Sequence, residues 1–99
     1  MKIEELISLT QLSIHYEMNY SFFTQLDELG LIEIYSDADD KYIHLDKIGD
    51  LERMIRLHVE LNINLEGIDT IFNLLEKINS LETELIDVKN KLQLYEDDL

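Results

Sequence analysis

Cysteine is absent from this chain of 99 residues, which excludes disulfide bonds and metal sites built on thiolates. The sequence also lacks an uninterrupted apolar run long enough to cross a bilayer. Its N-terminus reads Met-Lys-Ile-Glu-Glu, with carboxylates where a secretory signal needs an apolar core. The length suits one domain, and we expect a cytoplasmic protein.

Basic residues are scarce, because 8 Lys and Arg stand against 22 Asp and Glu, for a net charge of −14. The acidic excess covers the whole chain: residues 1–50 contain 3 basic and 11 acidic side chains, and residues 51–99 contain 5 and 11. Specific DNA binding normally rests on several Lys or Arg contacts to phosphates. The composition therefore favours a basic protein partner over nucleic acid.

Motifs for catalysis are missing as well: the sequence has no serine nucleophile motif, no phosphate-binding glycine loop and no dinucleotide fingerprint. The three histidines lie on different predicted elements, without metal-ligand spacing. Asp37, Asp39 and Asp40 resemble part of a calcium loop but lack its glycine and glutamate, which favours a solvated loop tip. We predict no enzyme, no metal and no cofactor.

What the sequence does contain is a regular apolar repeat over residues 64–99. Apolar side chains recur there at alternating spacings of three and four, the pattern of a coiled-coil seam. The seam positions are Ile71, Leu74, Ile78, Leu81, Leu85, Val88, Leu92, Tyr95 and Leu99. Such a seam needs a second helix, so we predict a homodimer through residues 64–99; the alternative is a long helix packed on its own domain.

The start and the pairing of this long helix are also predicted. Asn64 is a candidate N-cap, with Ile63 and Ile68 as a hydrophobic staple. Charges beside the seam do not decide how two such helices run, since attractive Lys–Glu pairs form in either orientation. Side-chain size favours an antiparallel pair, in which Leu85 faces the partner's Val88.

Residues 1–63 are predicted to form a small head that begins with two short helices. Ser8 and Gln11 form a capping-box pattern for the first helix, which ends near Tyr16. Asn19 is a candidate cap for the second helix, and Gly30 follows its end. The apolar faces of the two helices are expected to hold Leu9, Leu12, Ile14, Phe22, Phe23, Leu26 and Leu29.

A hairpin and a third helix complete the predicted head. The runs Leu31–Tyr35 and Tyr42–His44 flank a polar loop over residues 36–41, which indicates a wing-like hairpin. Ile3 is a candidate for pairing with a later strand, although residues 4–6 suit a turn equally well. Asp46 is predicted to cap the third helix. Its inner side is expected to hold Ile48, Leu51, Met54, Ile55 and His58, before Asn62 ends it.

This order of elements resembles the MerR type of winged-helix protein. The stretch from Arg53 to Ile68, RMIRLHVELNINLEGI, is similar to the signature of the chaperone-modulator CbpM family, in which an Arg-rich third helix leads into the long helix. Residues 26–33 resemble that family's second helix and its exit. The resemblance covers most of residues 7–95 and implies a mainly α fold: a MerR-like winged helix-turn-helix head with a β-hairpin wing, then a long C-terminal coiled coil.

The function that this resemblance implies is regulatory and not catalytic. It implies a homodimer that binds the J domain of a curved-DNA-binding-protein-A type co-chaperone and restrains it. The alternatives are a MerR-like transcriptional regulator and a passive coiled-coil scaffold. DNA-reading members usually carry arginines near the second helix, whereas residues 19–29 contain no basic side chain. Glu17 and Asn62 stand where the family usually has glycine.

Six charged residues on or beside the predicted head helices are the candidate partner contacts: Asp27, Glu28, Glu52, Arg53, Arg56 and Glu60. Arg53 and Arg56 are the head's only paired positive charges and lie nearly one helical turn apart. Two roles are open for them. They either pair with a neighbouring acid such as Glu52 or Glu60, or contact the partner.

Overall fold

The computed structural model describes residues 5–97 and shows a mainly helical chain with one small sheet. The elements in chain order are β1 (Leu6–Ser8), α1 (Leu9–Tyr16), α2 (Tyr20–Glu28), β2 (Tyr35–Asp37), β3 (Asp40–His44), α3 (Ile48–Leu61) and α4 (Leu65–Asp97). The boundary between two compact units falls within α4, between Asp69 and Thr70. The predicted fold class, a winged-helix head with a long C-terminal helix, is confirmed.

The sheet has three antiparallel strands in the order β1-β3-β2. Strands β2 and β3 form the predicted hairpin, and β1 pairs with the other edge of β3, where Ile7 lies opposite Ile43. The Ile43 side chain is fully buried. The candidate Ile3 lies outside the described residues, and the strand that pairs here is Leu6–Ser8.

The predicted strand Leu31–Tyr35 is wrong over most of its length, because amides within it are bonded to α2. The Leu31 amide donates to the Leu26 carbonyl at 3.0 Å, which completes a Schellman-type helix end. The Ile34 amide donates to the Asp27 carboxylate at 3.2 Å. With these donors occupied, β2 begins only at the last residue of the predicted strand.

The predicted loop over residues 36–41 is also wrong, because the two strands continue through most of it. Ser36 pairs with Lys41 and Asp37 with Asp40, so only Ala38 and Asp39 form the turn. Ala38 has φ 55°, in the left-handed region that two-residue hairpin turns require at their first position. The hairpin tip is therefore tight and carries three carboxylates within four residues.

Helices α1 and α2 begin and end near the residues that the sequence indicates. The Ser8 hydroxyl accepts a hydrogen bond from the Gln11 amide at 3.0 Å, which confirms the predicted cap of α1. Asn19 occupies the cap position of α2, but its side chain makes no cap hydrogen bond. Glu17 and Gly30 end the two helices with φ 54° and φ 79°, so a non-glycine residue fills the first left-handed position.

The core of the described chain is formed by eleven apolar side chains: Leu9, Leu12, Phe22, Phe23, Leu26, Ile32, Ile43, Leu51, Met54, Ile55 and Ile68. Two predicted members are wrong. Ile14 is 73% exposed because a residue two positions after Leu12 points about 200° away around the helix. Leu29 lies beyond the last residue of α2 and is 37% exposed.

The predicted cap of α3 at Asp46 is wrong, because the residue at the cap position is Lys47. A short 3₁₀ turn spans Leu45–Lys47, and α3 begins at Ile48. The cap of the 3₁₀ turn is His44, whose Nδ1 accepts from the Asp46 amide at 3.3 Å. The helix ends as predicted at Asn62, which adopts φ 56°.

The connection from α3 to α4 depends on a close contact around Gly67. The Asn64 side-chain oxygen accepts from the Gly67 amide at 2.8 Å, which confirms the predicted cap of α4. A Cβ atom on Gly67 would lie 2.7 Å from Ile63 Cγ2 and 3.0 Å from Asn64 Oδ1. The first turn of α4 therefore has room only for glycine at position 67. The next residue, Ile68, is fully buried.

Two glycine-to-alanine variants are expected to change stability in opposite directions. Gly67→Ala should lower the free energy of unfolding by about 1 kcal/mol or more, because the β-branched Ile63 side chain and the cap both obstruct the new methyl group. Gly49→Ala should raise it by about 0.5–1 kcal/mol, because Gly49 lies within α3 with nothing within 4 Å of an added Cβ. Urea unfolding measures both, and equal shifts would contradict the close contact.

Candidate interaction surfaces

The second unit carries an exposed apolar stripe along α4. Seven predicted seam side chains are between 48% and 75% exposed: Leu74, Ile78, Leu81, Leu85, Val88, Leu92 and Tyr95. Ile71, at the start of the stripe, is half-buried, and Leu99 lies outside the described residues. Because α4 is one continuous helix, the three-four spacing places these side chains along one side. An exposed apolar surface of this extent is typical of interaction sites.

Two further exposed apolar residues on α4 do not belong to this stripe. Ile86 is 60% exposed and Leu94 is 67% exposed, as fully as the seam residues beside them. Both fall between seam positions, so they lie away from the line that a partner helix would cover. Exposure alone therefore does not separate the seam from its surroundings on α4, whereas the spacing does.

The surface formed by α2 and the β2–β3 hairpin is predominantly acidic. No Lys or Arg lies within α2, and Asp37, Asp39 and Asp40 surround the hairpin tip. The Lys41 ammonium lies 5.9 Å from the ring centroid of Tyr20, at the first residue of α2, in cation–π geometry. The second helix of a helix-turn-helix normally reaches into the DNA major groove. Here that surface would repel phosphates.

The two candidate partner residues on α2 are in different situations. Asp27 is exposed, but its carboxylate accepts from the Ile34 amide at 3.2 Å and so holds the loop after α2. Glu28 is the last residue of α2 and is also exposed. Asp27 thus holds the loop after α2 in place, a role that the sequence did not indicate. Glu28 is an exposed charge at the end of the helix.

The other four candidate residues share one side of α3. The exposed residues at three- and four-residue spacing are Gly49, Glu52, Arg53, Arg56, Val59 and Glu60, here called the open face of α3. The opposite side buries Leu51, Met54 and Ile55. The open face thus combines two cations, two carboxylates and a Val59 side chain that is 57% exposed. Gly49 and Val59 were not predicted as surface-site residues.

Glu52 on this face is bonded to α1 and not to an arginine. The Tyr16 hydroxyl donates to Glu52 Oε1 at 2.6 Å. Burial and this hydrogen bond, together with the negative charge of Glu52, raise the pKa of Tyr16 to about 12. Arg53 and Arg56 form no ion pair with another residue in the described range 5–97. The internal pairing with Glu52 or Glu60 that the sequence offered is therefore not formed there.

Two of the three histidines, His44 and His58, contribute to local structure. His58 Nδ1 lies 2.9 Å from the Ile63 carbonyl oxygen, and its ring centroid is 5.0 Å from that of Phe22. His44 Nδ1 lies 2.8 Å from Asp46 Oδ1, and its Nε2 lies 3.5 Å from Glu5 Oε2. Residues 5–97 contain no group of three or more His, Asp or Glu side chains arranged to hold a metal ion.

Replacing Glu52 by Gln is expected to lower the pKa of Tyr16 from about 12 toward its ordinary value of 10.0. The tyrosinate forms more readily once the neighbouring negative charge is gone. Because the folded-state pKa lies above the unfolded value, its stabilisation is present below pH 10 and is lost as pH rises through about 12. Glu52→Gln should therefore weaken this alkaline loss of stability, measured by urea unfolding across that window.

The control for this titration is Glu60→Gln, which removes the same charge from the same face without contacting Tyr16. Hydrogen bonding to Glu33 and burial, respectively, raise the pKa values of Tyr35 and Tyr42 as well. Ultraviolet titration against a Tyr16→Phe reference isolates the one hydroxyl of interest. An unchanged Tyr16 titration in Glu52→Gln would contradict the contact.

Comparison with known proteins identifies one family. The family model described as MerR HTH family regulatory protein matches residues 7–90, which include most of the head and most of α4. Among curated proteins, none matches the chain. Within residues 5–97, no helix combines the length and the apolar character needed to cross a membrane.

Proposed function

The chain belongs to the MerR family of helix-turn-helix regulatory proteins, and from this premise we propose that it regulates a co-chaperone by binding its J domain. In this proposal the chain is a non-catalytic adaptor. It occupies the J domain of a curved-DNA-binding-protein-A type co-chaperone and so keeps that domain from its heat-shock chaperone partner. The partner offers a basic surface, and the chain offers an acidic one.

The observation that carries this proposal is the charge of the surface formed by α2 and the hairpin. A DNA-reading head needs cations on its second helix and wing to contact phosphates. This head has no Lys or Arg on α2, and its hairpin has one, Lys41, against Asp37, Asp39 and Asp40. An acidic surface on a helix-turn-helix fold supports binding of a basic protein surface.

The sequence from Arg53 to Ile68 supports the more specific part of the proposal, the binding of a J domain. This stretch resembles the CbpM signature, and in the structure it forms one local unit. It runs from the open face of α3 through the left-handed Asn62 and the cap at Asn64 to the buried Ile68. The similar residues thus build the connection between α3 and α4 as well as an exposed charged face.

Binding of the J domain is expected to depend on the acids of the head and to weaken with salt. Glu28→Lys should weaken binding by about fivefold, equivalent to about 1 kcal/mol, because it puts a like charge against the basic partner. Glu76→Lys on α4 makes the same charge change on the second unit and should have a smaller effect. Titration calorimetry with the purified J domain at low and moderate salt measures both. No binding at low salt would overturn the proposal.

The second candidate function is that of a DNA-binding transcriptional regulator, which the helix-turn-helix membership of the family favours. It requires α2 to enter a major groove despite having no cation of its own. Selection from genomic DNA followed by gel shift distinguishes the two functions. A reproducible operator would reverse their order.

We also propose that two copies of the chain pair through the exposed stripe of α4. Seam side chains at every third and fourth position become covered only when a second helix packs along them. The dominant gain is burial of apolar surface, at roughly 25 cal/mol per Å² before association costs are subtracted. An antiparallel pairing places Leu85 against the partner's Val88.

Leu85→Asp is expected to prevent dimerisation, because it buries a charge at the centre of the seam. Ile86→Asp is the matched control: the two residues are adjacent and similarly exposed, at 54% and 60%, but Ile86 lies off the seam. Analytical ultracentrifugation should show a monomer for the first variant and a dimer for the second. Loss of the dimer in both, or in neither, contradicts the assigned seam.

Cysteines introduced at Leu85 and Val88 test how the helices run. An antiparallel pair brings position 85 of one chain to position 88 of the other, so the mixed crosslink should form fastest. Dominant crosslinks between identical positions would show that the helices are parallel.

A further inference from the structure

The two arginines on the open face of α3 are unusual in so acidic a chain. Arg53 and Arg56 are both exposed, and neither forms an ion pair within residues 5–97. Residues three apart on a helix are surface neighbours, with about 5–6 Å between their Cβ atoms. The head therefore presents two adjacent guanidinium groups whose donors are available to a ligand.

Glu52 and Glu60 on the same face form no ion pair with these arginines, and each case has a physical reason. Glu52 accepts the Tyr16 hydroxyl at 2.6 Å, which fixes its carboxylate toward α1. Glu60 follows Arg56 by four residues, and an acid placed C-terminal to the base is the weaker order for a helical ion pair. The Tyr16 hydroxyl thus occupies the Glu52 carboxylate, and neither arginine forms an ion pair within residues 5–97.

We propose that Arg53 and Arg56 together bind a carboxylate on the protein partner of this chain. This inference rests on the proposed function and adds to it the chemistry of the partner's surface, which presents an acidic side chain within or beside its basic area. Guanidinium groups donate in a planar fork that matches a carboxylate. Gly49, one turn earlier, leaves open space for the partner to approach, and Val59 adds apolar contact area.

Loss of the arginine pair should change the affinity for the partner in the direction opposite to that expected from net charge alone. If only the overall field mattered, removing any two cations from a chain of net charge −14 would strengthen its binding to a basic partner. If the arginine pair binds a carboxylate, removing those two cations weakens binding instead. The two explanations therefore predict changes of opposite sign for the same alteration in charge.

The experiment compares two double variants with the same change in charge. Arg53→Gln/Arg56→Gln removes the pair, and Lys2→Gln/Lys47→Gln removes two other head lysines, both outside the sequence ranges of α2 and the hairpin. Titration calorimetry against the purified J domain of the co-chaperone should show about tenfold weaker binding for the arginine double variant. The lysine double variant should bind as tightly as the unaltered chain or more tightly. Thermal unfolding confirms that both are folded.

A third variant, Arg53→Lys/Arg56→Lys, keeps the charge but loses the planar fork. An intermediate loss of affinity supports the proposal, because an ammonium binds a carboxylate as a point charge only. Full affinity in this variant would overturn the forked contact. This variant also provides a test if the glutamine variant does not fold, because lysine keeps a charged, solvated side chain at both positions.

The remaining outcomes separate this inference from the proposed function. If the unaltered chain does not bind the J domain, both fall. If it binds and the arginine double variant binds equally or more tightly, only this inference falls. A change in oligomeric state on ultracentrifugation would assign the arginines to a second copy of the chain, and a loss of DNA binding would assign them to phosphates. Either result overturns the inference.

Discussion

The head depends on the close approach of Ile63 and Asn64 to Gly67. This contact closes the first turn of α4 over a residue without a side chain, and it places Ile68 among the fully buried core residues. A larger residue at position 67 would have to displace both the staple side chain and the cap. The close connection between α3 and α4 therefore depends on the absence of a Cβ at position 67.

Short-range signals in the sequence were sufficient where one side chain bonds a nearby amide. The caps at Ser8 and Asn64 each act over three residues, and both are present. The predicted strand Leu31–Tyr35 is wrong because two of its amides donate hydrogen bonds to the end of α2. One bonds a carbonyl, and the other bonds the Asp27 carboxylate, seven residues away. The cap assigned to Asp46 failed because a 3₁₀ turn intervenes before α3. The spacing of apolar residues does not show which acceptor each backbone amide will bond, so these two errors could not be avoided from the sequence.

The candidate surfaces were predictable to a similar extent. The spacing of the seam identified the exposed stripe of α4. Glu52, Arg53, Arg56 and Glu60 were predicted only as charged residues of the head helices, and the burial pattern of α3 shows that they share one side. The state of those charges was not predictable. It depends on Tyr16, which is 36 residues from Glu52 in sequence and reaches it only through packing of α1 near α3.

The Tyr16 hydroxyl affects the electric field around the head as well as the hydrogen bonding of Glu52. An arginine bound to Glu52 would have cancelled two opposite charges, whereas Tyr16 satisfies the carboxylate and leaves the charges of both signs in place. The open face of α3 thus keeps a permanent charge separation on an otherwise negative molecule. At long range a partner experiences the net charge, which sets the rate of encounter, and at short range it experiences the separation, which favours one angle of approach.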